Sequence, residues 1–134
     1  MRKRINDWKS RIRELYDRIE SWMPDDTNLS ASREHKATMH EEPMKMHGIS
    51  AIKLDILEIK RDREVILKII PNGLWVVGAN GRMDVFGMRD SWTLVDESEP
   101  LSSSPNWVLY SRSPKDRGKL LNGSAVSRLL RFVA

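Results

Sequence analysis

Residues 74–86 read Leu-Trp-Val-Val-Gly-Ala-Asn-Gly-Arg-Met-Asp-Val-Phe, and the Asn80-Gly81 pair at their centre governs the expected fold. Asn-Gly between two β-prone runs is a strong hairpin signal, because both central residues of a type I′ turn need positive φ. The spacing pairs Ala79 with Arg82, Gly78 with Met83, Val77 with Asp84, Val76 with Val85 and Trp75 with Phe86. Alternation then sets Leu74, Val76, Gly78, Met83 and Val85 on one face, and Trp75, Val77, Ala79 and Phe86 on the other. Neither face is plainly polar, so the hairpin is expected to be central and covered on both sides.

Further strands are expected on either side. Ile52, Leu54 and Ile56 alternate with Lys53 and Asp55, and then Leu57 and Ile59 take the opposite phase, which suggests a bulge. A turn at Arg61-Asp62 sets Asp55 opposite Lys68, Ile56 opposite Leu67 and Leu54 opposite Ile69. Pro71-Asn72-Gly73 reads as the turn into the central hairpin. Short strands around Trp92 and Leu94, and around Trp107 to Leu109, follow it.

Both ends read as helices. Ile5, Trp8, Ile12, Leu15, Ile19 and Trp22 recur at heptad spacing, with Asp7–Arg11 and Glu14–Arg18 as favourable i, i+4 pairs. In a self-paired coiled coil, Arg4, Arg11 and Arg18 at the g positions would repel a second copy. The seam is therefore expected to lie on the chain's own sheet, with pairing in trans, to a second copy or to another protein, as the alternative. At the other end Ser124 is a candidate N-cap, and Val126, Leu129, Leu130 and Val133 form a stripe with Arg128 and Arg131 opposite. The expected fold is α+β: a six-stranded antiparallel meander, as a curved sheet or partial barrel, with an N-terminal and a C-terminal helix. It divides into a helix over 1–23, a polar linker over 24–48 and a sheet domain over 49–134.

Composition narrows the chemistry. With 40% hydrophobic and 31% charged residues the chain is globular in character. It has no cysteine, which excludes disulfides, thiolate catalysis and cysteine-held zinc. Arg-Lys-Arg at residues 2–4 is followed by Asn6-Asp7 rather than an apolar run, so a cytoplasmic location without membrane contact is expected. His35, His40 and His47 share the linker with Met39, Met44 and Met46, but their spacing forms no ligand set, and neither metal nor cofactor is expected. Arg82 and Asp84 sit at i and i+2 on one strand face, where mutual neutralisation is the simpler reading.

No catalytic signature appears, and the function expected is a non-enzymatic binding module, acting on a protein through the apolar helix or a sheet face. Two alternatives come from the C-terminal part. Residues 112–134 carry six basic side chains and one acidic, a net of +5. Arg112, Lys115, Arg117 and Lys119, with Tyr110 and Trp107 just upstream, suit an anion or a nucleic-acid strand. A pocket in the curved sheet, lined by residues such as Trp92 and Trp107, would suit a small molecule or an enzyme's substrate.

Overall fold

The computed structural model describes residues 2–75, 79–99, 102, 104–113 and 115–133, the last three without their side chains. The chain runs α1 (Arg2–Trp22), β1 (Leu29–Ser32), β2 (Lys36–Met39), α2 (Glu42–Met46), β3 (Ile52–Asp55), β4 (Leu57–Arg61) and β5 (Glu64–Gly73). It continues through β6 (Arg82–Gly87), β7 (Ser91–Asp96), β8 (Trp107–Tyr110), β9 (Lys119–Leu120) and α3 (Gly123–Val133). The class is α+β, with antiparallel pairing and a helix at each end. Seven strands form one sheet in the order β1-β4-β5-β6-β7-β8-β9, and β2 and β3 form a separate pair. From β4 to β9 the sheet is a meander, with β1 laid antiparallel against the outer edge of β4. Among the described residues no helix is long and apolar enough to cross a membrane.

The sheet is organised around α1. Ile5, Trp8, Ile12, Leu15 and Ile19 are buried in one cluster with Leu57, Ile59, Leu67, Ile69, Met83, Val85 and Leu94. Trp22, at the end of the seam, is half-buried and packs beneath the start of α3 beside Gly123. A solitary helix of this length is marginal in water, so burial of this face is what stabilises it. Each fully buried side chain of this size contributes roughly 1.5–3 kcal/mol. The two i, i+4 pairs form as expected, Asp7–Arg11 at 2.7 Å and Glu14–Arg18 at 2.9 Å. Tyr16 widens the stripe and donates its hydroxyl to the Asp55 carbonyl at 2.7 Å, and burial pushes its pKa up.

The central hairpin does not form. β5 runs through Pro71 and Gly73 and pairs directly with β6, with Ile69 opposite Val85, Pro71 opposite Met83 and Gly73 opposite Arg82. Proline has no amide to donate, and the register shifts just after it. Asn80-Gly81 instead joins the end of β7: the Asn80 amide donates to the Asp96 carbonyl at 2.7 Å, and the Asp96 amide to the Gly81 carbonyl at 3.1 Å. The expected partners Val76, Val77 and Gly78 lie outside the described residues. Met83, Val85 and Leu74 are buried as their alternation implied, whereas Phe86 is 45% exposed, so the opposite face is open there.

Two further registers differ. The β4–β5 turn is Asp62-Arg63, with Asp62 at φ 56°, which pairs Glu58 with Lys68 and Leu57 with Ile69. Asp55 faces Lys36 across the β2–β3 pair. The phase change at Ile56 marks where the chain leaves that pair for the large sheet, and the bulge itself falls at Ile59/Lys60. Residues 24–48 hold β1, β2 and α2, with Met39 and Met44 in the core and Met46 exposed. Asp84 takes a hydrogen bond from Asn72 Nδ2 at 2.5 Å, and among the described residues it makes no ion pair with Arg82.

Glu58 is buried between Ser32 of β1 and Lys68 of β5. His35 Nδ1 meets its Oε1, and Lys68 Nζ stands 3.8 Å from its Oε2. The His35 hydrogen bond, joined by the charges of His35, Lys68 and Lys60, outweighs desolvation and holds the carboxyl below the usual carboxylate range. A depressed folded pKa adds stability that is fully present above the unfolded value, about 4.3, and is lost as pH falls through the folded value. Urea unfolding of the wild type and Glu58→Gln should therefore give free energies that converge as pH falls from about 7 to about 3. A constant gap over that range would remove Glu58 from the acid response.

Candidate ligand-binding cleft

Antiparallel pairing of β7 with β8 sets Thr93 opposite Tyr110 and Leu94 opposite Leu109. Trp92 and Leu109 thus share the helix-covered face with Leu94, toward the Ser91 end of β7. α3 closes this end from the other side. Its first turn is capped by Asn122, not by Ser124: the Ala125 amide donates to Asn122 Oδ1 at 2.9 Å. Val126, Leu129 and Leu130 are buried against the core. The side chains of Arg131 and Val133 lie outside the described residues.

Between the sheet end and α3 lies a cleft of about 520 Å3. Trp92, Leu109, Ala125 and Leu129 give it an apolar floor. Arg112, Lys119 and Arg128 reach it from the β8–β9 loop, from β9 and from α3. Asp90, Ser91, Ser111 and Asp116 complete the lining.

The β8–β9 loop owes its shape to Asp116. Its Oδ2 accepts the Ser111 amide at 2.7 Å and its Oδ1 the Gly118 amide at 2.9 Å, so one carboxylate ties both ends of the loop. The Ser111 amide first, then the Gly118 amide, with Lys119 adding a smaller effect, lower its pKa to about 2. Gly118 lies flat on β8 at φ +83°; a Cβ there would stand 2.5 Å from Val108 Cγ1. A side chain at this position would force the loop off β8.

Of the four basic residues singled out in the sequence, Arg112 and Lys119 line the cleft, while Lys115 and Arg117 are exposed elsewhere on the loop. Of the two tryptophans, Trp92 lines it and Trp107 does not. Trp107 is buried against Trp8, with ring centroids 6.0 Å apart. Tyr110 points to the outer face, where its hydroxyl donates to Glu97. Arg128 and Asp90 carried no sequence signal, because only the tertiary fold brings α3 and the β6–β7 turn to the loop. Among the described residues no group of three metal-ligating His, Asp or Glu side chains converges. His35 bonds Glu58, and His40 Nε2 lies 3.0 Å from the Ile49 carbonyl. Comparison with family models, with curated proteins and with solved structures finds no match to the chain.

Proposed function

We propose that this chain is a non-enzymatic binding protein that takes a small organic anion in the cleft between the β7–β9 end of the sheet and α3. One observation carries the reading. Arg112, Lys119 and Arg128 come from three separate elements to one apolar-floored cleft, and among the described residues none of them makes an ion pair. Arg11, Arg18, Arg33 and Arg61 each have a carboxylate partner, while Arg4, Arg13, Arg63, Arg82, Arg89 and Arg117 make no ion pair among the described residues, so it is convergence on one cleft that sets these three cations apart. A volume of about 520 Å3 falls within the roughly 300–1,000 Å3 of sites for small ligands. Asp116, whose oxygens accept the Ser111 and Gly118 amides, makes no ion pair with these cations among the described residues, although its charge acts on Lys119.

The alternatives have less to stand on. The α1 seam offers a partner little surface, because the chain's own sheet covers it. A nucleic-acid track would need Lys115 and Arg117 in line with Arg112 and Lys119, and they lie outside the cleft.

Calorimetric titration with phenyl phosphate tests the reading. Wild type should bind it, and Arg112→Ala should weaken binding about tenfold, as expected for one lost charge-assisted hydrogen bond. Changing Arg112, Lys119 and Arg128 together to alanine should abolish binding, while Lys115→Ala/Arg117→Ala leaves it unchanged. Equal affinity in all the variants would sink the proposal.

A further inference from the structure

We infer that the anion taken by this cleft is carried on a flat, nitrogen-bearing ring, as in a nucleoside monophosphate; the inference rests on the anion reading above and adds the ligand class. It comes from Asp90, Ser91 and Trp92, three successive residues that all line the cleft. Trp92 lines the cleft from β7, and Arg112 lines it from the β8–β9 loop. The indole and the guanidinium thus border the same cleft. An aromatic face next to an arginine suits a stacked ring with an attached phosphate, which the guanidinium grips through its fork of N–H donors.

Asp90 decides what kind of ring. Its carboxylate makes no hydrogen bond or ion pair among the described residues, unlike that of Asp116. A bare phosphate in the cleft would be repelled by this carboxylate and would leave the indole face unused. A ligand bringing N–H donors on its ring as well as a phosphate satisfies both ends at once. Nucleobases with an exocyclic amine have that combination, whereas sugar phosphates, inorganic phosphate and simple fatty acids lack it.

Titration of the full chain with adenosine monophosphate, ribose phosphate and adenosine separates the parts. Adenosine monophosphate should bind about tenfold tighter than ribose phosphate, the increment of one base stacked on an aromatic side chain. Trp92→Leu should erase that preference and leave ribose phosphate binding as it was. Trp92→Phe, which keeps a ring face, should retain most of the preference and guards against a folding artefact. Asp90→Asn should strengthen ribose phosphate binding several-fold without helping adenosine monophosphate. If wild type binds ribose phosphate and adenosine monophosphate equally, and both are weakened about tenfold in Arg112→Ala, the ring is overturned while the anion site stands. Adenosine binding as tightly as its monophosphate, or no binding of any probe at millimolar concentration, overturns both.

Discussion

Arg11→Ala should lower the stability of the protein by about 3–5 kcal/mol, the range for removing one partner of a buried ion pair. Arg11 is 4% exposed and Asp96 fully buried, with Nη1 and Oδ2 3.0 Å apart. The same guanidinium holds Asp7 through Nε, the Ser98 hydroxyl at 3.1 Å and the Ser102 carbonyl. Asp96 is fully engaged in turn: its Oδ1 accepts the Ser98 amide at 3.0 Å and the Asn106 amide at 2.8 Å. Truncating Arg11 therefore strands a charge that is already committed to holding the 97–106 loop. For a chain of this length the loss corresponds to a fall in Tm of roughly 10–20 °C. Asp96→Asn keeps the Oδ1 that accepts both amides and should cost less on its own. Added to Arg11→Met it should recover part of the loss, a coupling that thermal denaturation of the four proteins would measure. A drop under about 1 kcal/mol for Arg11→Ala would mean that water reaches the pair.

Gly81→Ala should destabilise by about 2–6 kcal/mol, through two separate causes. Gly81 sits at φ +114°, where a side chain is strained by roughly 1–3 kcal/mol. The added methyl would also lie 2.3 Å from Trp8 Cζ3 and 2.5 Å from Trp8 Cη2. Overfilling a packed core costs roughly another 1–3 kcal/mol. The backbone cannot yield, since hydrogen bonds to both sides of Asp96 fix Asn80 and Gly81. In a Trp8→Leu background the steric part should vanish and the strain remain, so the penalty for Gly81→Ala should shrink by about half. An unchanged penalty would mean that the indole does not set the limit.

These two sites also show which parts of the fold could be read from residues alone. The 3-4 spacing of Ile5 to Ile19 needs only α-helical geometry, and the buried face of α1 follows it. Arg11 stands beside that seam as Arg4 and Arg18 do, and local sequence makes all three look like flanking charges. What distinguishes Arg11 is Asp96, 85 positions away, which no local spacing reveals. At Asn80-Gly81 the need for a positive φ was legible and Gly81 has one. Local turn preference nevertheless lost to the longer β5, whose Ile69 and Pro71 pair with Val85 and Met83. The cleft was legible by halves: clustered cations picked out Arg112 and Lys119, and an aromatic strand picked out Trp92. Arg128 and Asp90 join them only through the docking of α3 and the β6–β7 turn, both products of tertiary packing.

A helix that serves as the centre of the core has a consequence for synthesis. α1 is made before the strands that cover it: Asp55 follows Tyr16 by 39 positions and Asp96 follows Arg11 by 85. At about 5–20 residues per second, 85 residues take roughly 4–17 s. Until then the apolar stripe is covered only in part, on a helix that is barely stable alone. The apolar face of α1 therefore waits on residues far along the chain, so the yield of folded protein should respond to the speed of translation.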